Sequence, residues 1–188
     1  ESARETFLLA ATRLINASGY RGASVEKISA ELNVTKGSFY HHHDAKDDLV
    51  FDCFERYCEV SRRAQAAARQ LPGTEWDKLI SATVALVEYQ LSEQGPLLRT
   101  SALMAVPETM RTEMVEQAAR VSDRFASMIS DGIAEGSIRP IDPAIASQMV
   151  GATINAAADL ETLMQGHVRR DDVAELYARP MMVGLFAR

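Results

Sequence analysis

A short polar run near the N-terminus has residue types suited to contacting the surface of another molecule. From Thr35 to His42 the chain reads TKGSFYHH, in which Phe39 is the one large residue without a polar group. The other side chains can form hydrogen bonds, and the missing side chain of Gly37 lets the backbone approach a surface closely. A helix with one apolar anchor and a polar remainder suits insertion into the major groove of DNA.

The preceding residues predict a second short helix that supports this one. Ser24 is a good N-cap, because its hydroxyl oxygen can accept from a free amide in the first helical turn. Asn33 marks the reversal between the two helices, since Asn tolerates the left-handed conformation that such a turn often needs. Thr35 is then expected to cap the polar helix. The apolar residues of the supporting helix share one face, at Val25, Ile28 and Leu32.

The stretch 19–49 resembles the DNA-binding signature of the TetR family of bacterial transcriptional regulators. That signature combines a Gly-aromatic pair, a capping Ser or Thr, an Ile-containing helix, a Val-Ser/Thr-Lys-Gly-x-x-Tyr recognition helix and a Lys that opens a long helix. The matching residues here are Gly19-Tyr20, Ser24, Ile28, Val34-Thr35-Lys36-Gly37, Tyr40 and Lys46. Two positions depart from it: His43 replaces the usual Phe, and Ala45 replaces a capping Ser, for which Asp44 is a substitute one residue earlier.

The resemblance and the composition together predict the residues that contact double-stranded DNA. We expect Lys36 and Lys46 to bind phosphate, with a guanine edge as the alternative for Lys36, and Thr35 and Tyr40 to bind phosphate. A solvated polar helix is the alternative interpretation. The complete set of expected DNA contacts is Ser24, Thr35, Lys36, Gly37, Ser38, Tyr40, His41, His42 and Lys46.

Net charge does not favour a nucleic-acid-binding protein. The 188 residues carry a net charge of −6, whereas DNA-binding domains are usually basic. DNA binding would therefore depend on where the cations lie. The acidic balance and His43 leave one alternative open, a helical adaptor that keeps the helix-turn-helix as a scaffold and no longer binds DNA.

Composition and periodicity predict an all-α protein of about nine helices. Apolar residues make up 47% of the chain and aromatic residues 6%, and no strand-like alternation is present. A helix over 3–17 and the two short helices form a three-helix DNA-binding unit, assigned to 1–47. A larger effector-binding and dimerisation domain is assigned to 48–188, and the helix from Lys46 to Leu71 belongs to both.

The larger domain is expected to contain further helices over 76–91, 97–106, 107–135 and 143–165, and a last helix near the C-terminus. Asp142 and Pro143 form a favoured N-cap and first helical position. Asp171 is the expected cap of the last helix, which Pro180 should kink or interrupt.

The last two helices are candidates for a homodimer interface, with burial within one chain as the alternative. Two-fold symmetry would match a palindromic operator. The apolar residues that would form the interface are Ile145, Met149, Ala152, Ala156, Leu160 and Leu163 on one helix and Leu176, Met182, Leu185 and Phe186 on the other.

Proteins that resemble this one usually bind a small, largely apolar effector among the later helices. Ordinary core packing explains the same residues, since Met fills irregular gaps as readily as it contacts ligands. The candidate effector-binding residues are Tyr89, Met104, Met114, Phe125, Met128, Asn155 and Asp159. For Asn155 and Asp159, contact with the dimer partner and exposure to solvent are equal alternatives.

Other functions find little support. Neighbouring histidines at 41–43 point in different directions on a helix, so no metal site is expected. No set of acid, base and nucleophile residues indicates an enzyme, and no cofactor motif is present. No membrane-spanning or secretory segment is evident, and Cys53 and Cys58 are read as free thiols of a cytoplasmic protein. We therefore expect a cytoplasmic repressor, released from its operator by the effector.

Overall fold

The computed structural model describes residues 3–42, 45–160 and 170–183 of the chain. These residues form eight α-helices and two short 3-10 turns, with no strand among them, so the all-α prediction is confirmed. The helices are α1 (Ala3–Gly22), α2 (Val25–Glu31), α3 (Lys36–His42), α4 (Lys46–Arg69), α5 (Glu75–Leu91), α6 (Glu108–Glu135), α7 (Pro143–Ala156) and α8 (Arg170–Val183). None of these helices is both long and apolar enough to cross a membrane.

The chain divides into two compact units. The first contains Glu1–Cys58 and Pro96–Gln117, and the second contains Glu59–Gly95 and Ala118–Arg188. The first unit therefore takes a segment from the middle of the sequence in addition to the N-terminal helices.

The first unit has a small apolar core beneath α3. Phe39 and Ile28 are fully buried, and the ring of Phe39 meets that of Phe7 edge-on with centroids 6.2 Å apart. The helix α2 packs against both α1 and α3. Regular helical geometry in α1 breaks at Gly19, whose φ of 73° is open to glycine at little cost. The chain therefore kinks at the glycine that was predicted to end the first helix, and helical residues continue beyond it to Gly22.

The segment after Pro96 is not the helix that was predicted over 97–106. Residues 95–99 are not helical, and only a 3-10 turn follows at Thr100–Met104. The side-chain amide of Asn16 replaces the missing helical hydrogen bonds: its Nδ2 donates to the Leu97 carbonyl at 2.9 Å, and its Oδ1 accepts from the Arg99 amide at 3.0 Å. Leu97 is only 1% exposed, so its apolar side chain packs in the core although the residue is not helical.

In the second unit α5 is packed against α7 and α8. Thr74 and Asp77 form a reciprocal capping box at the start of α5, which the sequence interpretation had missed. Buried polar groups satisfy carbonyls across this unit. Gln90 Nε2 donates to Ile154 O at 3.2 Å, and Tyr177 Oη donates to Thr153 O at 2.7 Å.

The two C-terminal helices differ in detail from their predictions. Asp142 caps α7 as expected, with its Oδ1 accepting from the Ile145 amide at 2.9 Å, and Pro143 opens the helix. After Ala156 the α-helix gives way to a 3-10 turn at Ala157–Asp159, and Leu160 is helical again. The rest of the predicted extension, to about residue 165, lies outside the described residues. Asp171 is inside α8, and Pro180 is accommodated within α8 without ending it.

Candidate nucleic-acid interface

The support for α3 is built as the sequence predicts. Ser24 Oγ accepts from the Lys27 amide at 3.2 Å and caps α2. Asn33 has a φ of 53°, which reverses the chain between α2 and α3. Thr35 Oγ1 accepts from the Ser38 amide at 3.2 Å and caps the start of α3. Three predicted local devices therefore orient a seven-residue helix.

The polar residues of α3 lie on the surface around one buried anchor. Phe39 is fully buried, whereas Tyr40 is 53% exposed and meets the Phe39 ring edge-on at 5.2 Å. Lys36, Gly37 and His41 are exposed, and Ser38 is half-buried. The helix thus anchors itself through one side chain and presents the others, an arrangement that can enter a groove. The side chain of His42, and all of His43 and Asp44, lie outside the described residues.

Gly37 has room for a side chain in the chain itself. A Cβ built on it would lie 3.6 Å from Thr35 Oγ1, an ordinary contact, and its backbone does not require glycine. The folded monomer therefore gives no packing reason for glycine at this position.

Lys36 is engaged by a carboxylate on the neighbouring helix. Its Nζ forms an ion pair and hydrogen bond with Glu26 Oε1, and both side chains are more than half exposed. The hydrogen bond from Lys36 is the largest cause that lowers the pKa of Glu26 below its usual value. The predicted phosphate contact therefore has an internal partner.

Lys46 is also engaged within the first unit. Its Nζ donates to the Tyr20 carbonyl at 2.9 Å and lies 3.9 Å from the centroid of the Tyr20 ring. The Tyr20 hydroxyl donates to Asp47 Oδ1. Partial burial, that hydrogen bond and the Asp47 charge raise the pKa of Tyr20 to about 12. Lys46 and its neighbours thus join the end of α1 to the start of α4.

The candidate effector-binding residues are divided between the two units. Met114 is fully buried in the first unit, and Met104 is 76% exposed there, which places its side chain on the surface instead of among packed helices. Phe125 and Met128 are buried in the second unit. The others, Tyr89, Asn155 and Asp159, are half-buried in the second unit, and Asn155 Nδ2 donates to Gly151 O at 2.9 Å.

The candidate dimerisation residues are mostly on the surface. On α7 a stripe with helical spacing is exposed, formed by Ile145, Met149, Ala152 and Ala156. On α8 Leu176 is 65% exposed, whereas Met182 is buried at 1% and belongs to the core of its own chain. Exposed apolar residues that the prediction omitted are Met181 and Val183. Leu160 is half-buried, and Leu163, Leu185 and Phe186 lie outside the described residues.

Two residues with evident roles were missed by sequence reasoning. Glu26 faces Lys36, and Asn16 binds the segment after Pro96. An acidic residue in the first turn of α2 reads as ordinary helix-dipole compensation, and a lone Asn near a helix end reads as a capping residue. Nothing in the sequence indicated that Glu26 contacts Lys36 or that Asn16 contacts the segment after Pro96.

Two family models match the chain. The one described as bacterial regulatory proteins, tetR family, matches residues 7–53. The one described as the tetracyclin repressor-like C-terminal domain matches residues 72–185, which is more than half of the chain.

Individual relatives agree with this assignment. The HTH-type transcriptional regulator YhgD of Bacillus subtilis is 25% identical over 143 residues, 74% of each chain. The HTH-type transcriptional repressor DhaR of a Mycobacterium species is 27% identical over 124 residues, and the match spans 64% of this chain and 62% of that protein. The solved structure of AibR with isovaleryl coenzyme A and operator DNA covers 98% of each chain with a TM-score of 0.73 at 17% identity, which shows a shared fold. With its helix-turn-helix and its C-terminal domain both matched, the chain belongs to the TetR family of bacterial regulatory proteins.

Proposed function

We propose that this TetR-family regulator is a cytoplasmic transcriptional repressor that binds a palindromic operator as a homodimer. We further propose that a small, largely apolar effector releases it. Residues 1–47 would carry the DNA contacts, and residues 48–188 would carry the effector site and the dimer interface.

The construction of α3 is the observation that supports DNA binding most directly. Phe39 is buried, while Lys36, Gly37, Tyr40 and His41 are exposed on the same short helix. The capped helix α2 stands behind it, as the first helix of a helix-turn-helix does when it crosses the DNA backbone. A net charge of −6 does not exclude DNA binding, because the contacts depend on which side chains lie on this local surface.

The exposed stripe on α7 supports homodimer formation. Ile145 on α7 and Leu176 on α8 are 62% and 65% exposed, and burial of these apolar side chains in an interface would favour association. A two-fold axis through α7 and α8 would present two copies of α3. Successive major grooves on one face of DNA are ~34–36 Å apart, so the dimer must hold the two helices at about that separation.

The effector would act through this separation. An effector that binds better to a dimer with the wrong spacing lowers operator affinity by its differential affinity for the two states. The complex of AibR with an acyl coenzyme A and operator DNA supports a small-molecule effector for the family fold. The apolar residues Phe125 and Met128 and the polar residues Tyr89, Asn155 and Asp159 are the proposed contacts in the second unit.

The proposal is tested by selecting fragments of the source genome with the purified, full-length protein. Bound fragments are sequenced after selection at low and at near-physiological salt. We expect enrichment of a palindrome that survives the higher salt, because base contacts persist when phosphate attraction is screened. The genes beside it would indicate which effectors to try.

Three variants separate DNA binding from folding. Lys36→Gln and Tyr40→Phe should each reduce the enrichment without changing the circular dichroism spectrum. Arg120→Gln is the control, since it removes one positive charge from an exposed position on α6. Equal enrichment by all four proteins would contradict the assignment of α3. The absence of any enrichment, with and without cell extract as a source of effector, would favour the helical adaptor.

A further inference from the structure

The ion pair between Glu26 and Lys36 joins the two helices of the helix-turn-helix at the surface that faces DNA in the proposed function. Lys36 is the first residue of α3, and Glu26 lies in the first turn of α2. Their side chains remain 56% and 61% exposed, so the pair is accessible to an approaching duplex. This inference rests on the proposed function, because it concerns the same surface.

Glu26 has no part in the core. Ser24, two residues earlier, supplies the cap of α2, and the buried residues of α2 are Ile28 and Ser29. Lys36, the backbone of Glu26 itself and Ser24 favour the charged carboxylate and lower its pKa. Glu26 therefore places a negative charge beside Lys36 without contributing apolar burial.

A carboxylate in this position competes with DNA for the lysine. Phosphate binding by lysine is driven by attraction between charges and the release of counterions. The Lys36 ammonium already has an anionic partner, so a phosphate must replace Glu26 and leave that carboxylate beside the polyanion. An exposed ion pair is weak enough to open when DNA binds.

We propose that Glu26 is an autoinhibitory residue that withholds Lys36 from DNA phosphate and so lowers the affinity of the protein for DNA of any sequence. While Lys36 is in this neutral pair, it is not freely available to bind phosphate. It also limits the time the protein spends on non-operator DNA, because attraction to phosphate is the main source of such binding.

The test measures binding to a short duplex of random sequence by fluorescence anisotropy over a salt series. The compared proteins are the wild type, Glu26→Gln and the control Glu31→Gln, each also combined with Lys36→Gln. Glu31 is an exposed carboxylate at the other end of α2, so its substitution makes the same change in charge. Thermal unfolding of each variant is recorded alongside.

Glu26→Gln should tighten binding about twofold to fivefold, the range that one exposed ion pair provides. The slope of log affinity against log salt should steepen by about 0.9 for each lysine that becomes free to bind phosphate. Glu31→Gln should change both quantities less. Combined with Lys36→Gln, the difference between the two substitutions should shrink, because only the direct repulsion between the Glu26 carboxylate and DNA then remains.

The outcomes separate this inference from the proposed function. Two results, each with DNA binding by the wild type, would overturn the autoinhibitory role alone. In the first, Glu26→Gln and Glu31→Gln are indistinguishable. In the second, the gain from Glu26→Gln is undiminished in the Lys36→Gln background. Weaker binding by Glu26→Gln at unchanged thermal stability would also overturn it, since Glu26 would then be orienting Lys36 toward DNA. The absence of binding by every variant at low salt would overturn the proposed function as well.

Discussion

Lys46 contacts both the backbone carbonyl and the aromatic ring of Tyr20. The ammonium donates to the Tyr20 carbonyl at 2.9 Å and lies 3.9 Å from the centre of its ring. The Tyr20 hydroxyl donates to Asp47, the next residue of α4. Because Tyr20 lies just beyond the break at Gly19, these contacts fix the end of α1 against the start of α4.

Lys46→Met should therefore lower the free energy of unfolding. The loss of the carbonyl hydrogen bond and the cation–π contact should cost about 1–2 kcal/mol in urea denaturation. Lys27→Met, which removes an exposed lysine from α2, should cost less than about 0.5 kcal/mol. Unchanged stability of Lys46→Met with a shallower salt dependence of DNA binding would instead assign Lys46 to phosphate alone.

Asn16→Leu should release the segment after Pro96 from α1. The substitution leaves the Leu97 carbonyl and the Arg99 amide without their partner, which should cost about 2 kcal/mol. Hydrogen exchange of the Arg99 amide should accelerate. Asn16→Asp keeps the acceptor for Arg99 and loses the donor to Leu97, so it should protect that amide better than Asn16→Leu. Equal exchange in all three proteins would show that neighbouring packing holds the segment.

Gly37→Ala should separate folding from DNA binding. A Cβ at this position meets only an ordinary contact, and alanine favours helix over glycine by up to about 1 kcal/mol, so the variant should be at least as stable as the wild type. Its affinity for the selected operator should fall if the backbone approaches the duplex at this point. Operator affinity equal to that of the wild type, measured by anisotropy, would show that the glycine is not a close-approach site.

Alkaline pH should destabilise the protein through two buried groups of α4. Burial raises the pKa of Cys53 to about 12 and that of Tyr57 to about 12, from ordinary values near 9 and 10. Both stay protonated when folded while the unfolded chain ionises. Their contribution to the free energy of unfolding is therefore complete below pH 9. It is lost as the pH rises toward 12, at up to about 1.4 kcal/mol per pH unit for each group.

Single variants assign this alkaline loss to its groups. Urea denaturation between pH 8 and 11 gives the free energy of unfolding of each variant. For Cys53→Ala this free energy should change little with rising pH until tyrosine ionises, near pH 10. Tyr57→Phe should retain the early decline and reduce the later one. The same pH profile in both variants and the wild type would mean that other groups dominate.

Ile145→Glu and Leu176→Glu should each weaken self-association. A carboxylate in the centre of an apolar interface should raise the dimer dissociation constant by about thirtyfold or more, the effect of a hot-spot residue. Met104→Glu is the matched control, since it places the same charge at a 76% exposed methionine in the first unit. Sedimentation velocity measures all three. Unchanged sedimentation of the α7 and α8 variants would place the dimer interface elsewhere.

Local sequence was sufficient to define the helix-turn-helix. Ser24, Asn33 and Thr35 act on residues within four positions of themselves, through caps and one left-handed turn, and all three take their predicted conformations. Phe39 is the expected anchor of α3, because a helix with one large apolar residue has one way to bury it.

Contacts between residues far apart in sequence were decided by the tertiary structure alone. The residues after Pro96 look helical by composition, yet Leu97 and Arg99 bind the side-chain amide of Asn16, which is 81 positions from Leu97. Likewise Met182 has the spacing of a surface stripe but is buried, and Glu26 has a lysine ten positions away as its partner. Periodicity identifies which side chains share a face, whereas packing against distant elements determines what that face meets. The sequence by itself therefore determined the helix-turn-helix, and the tertiary structure decided the conformation after Pro96 and which polar groups were already engaged.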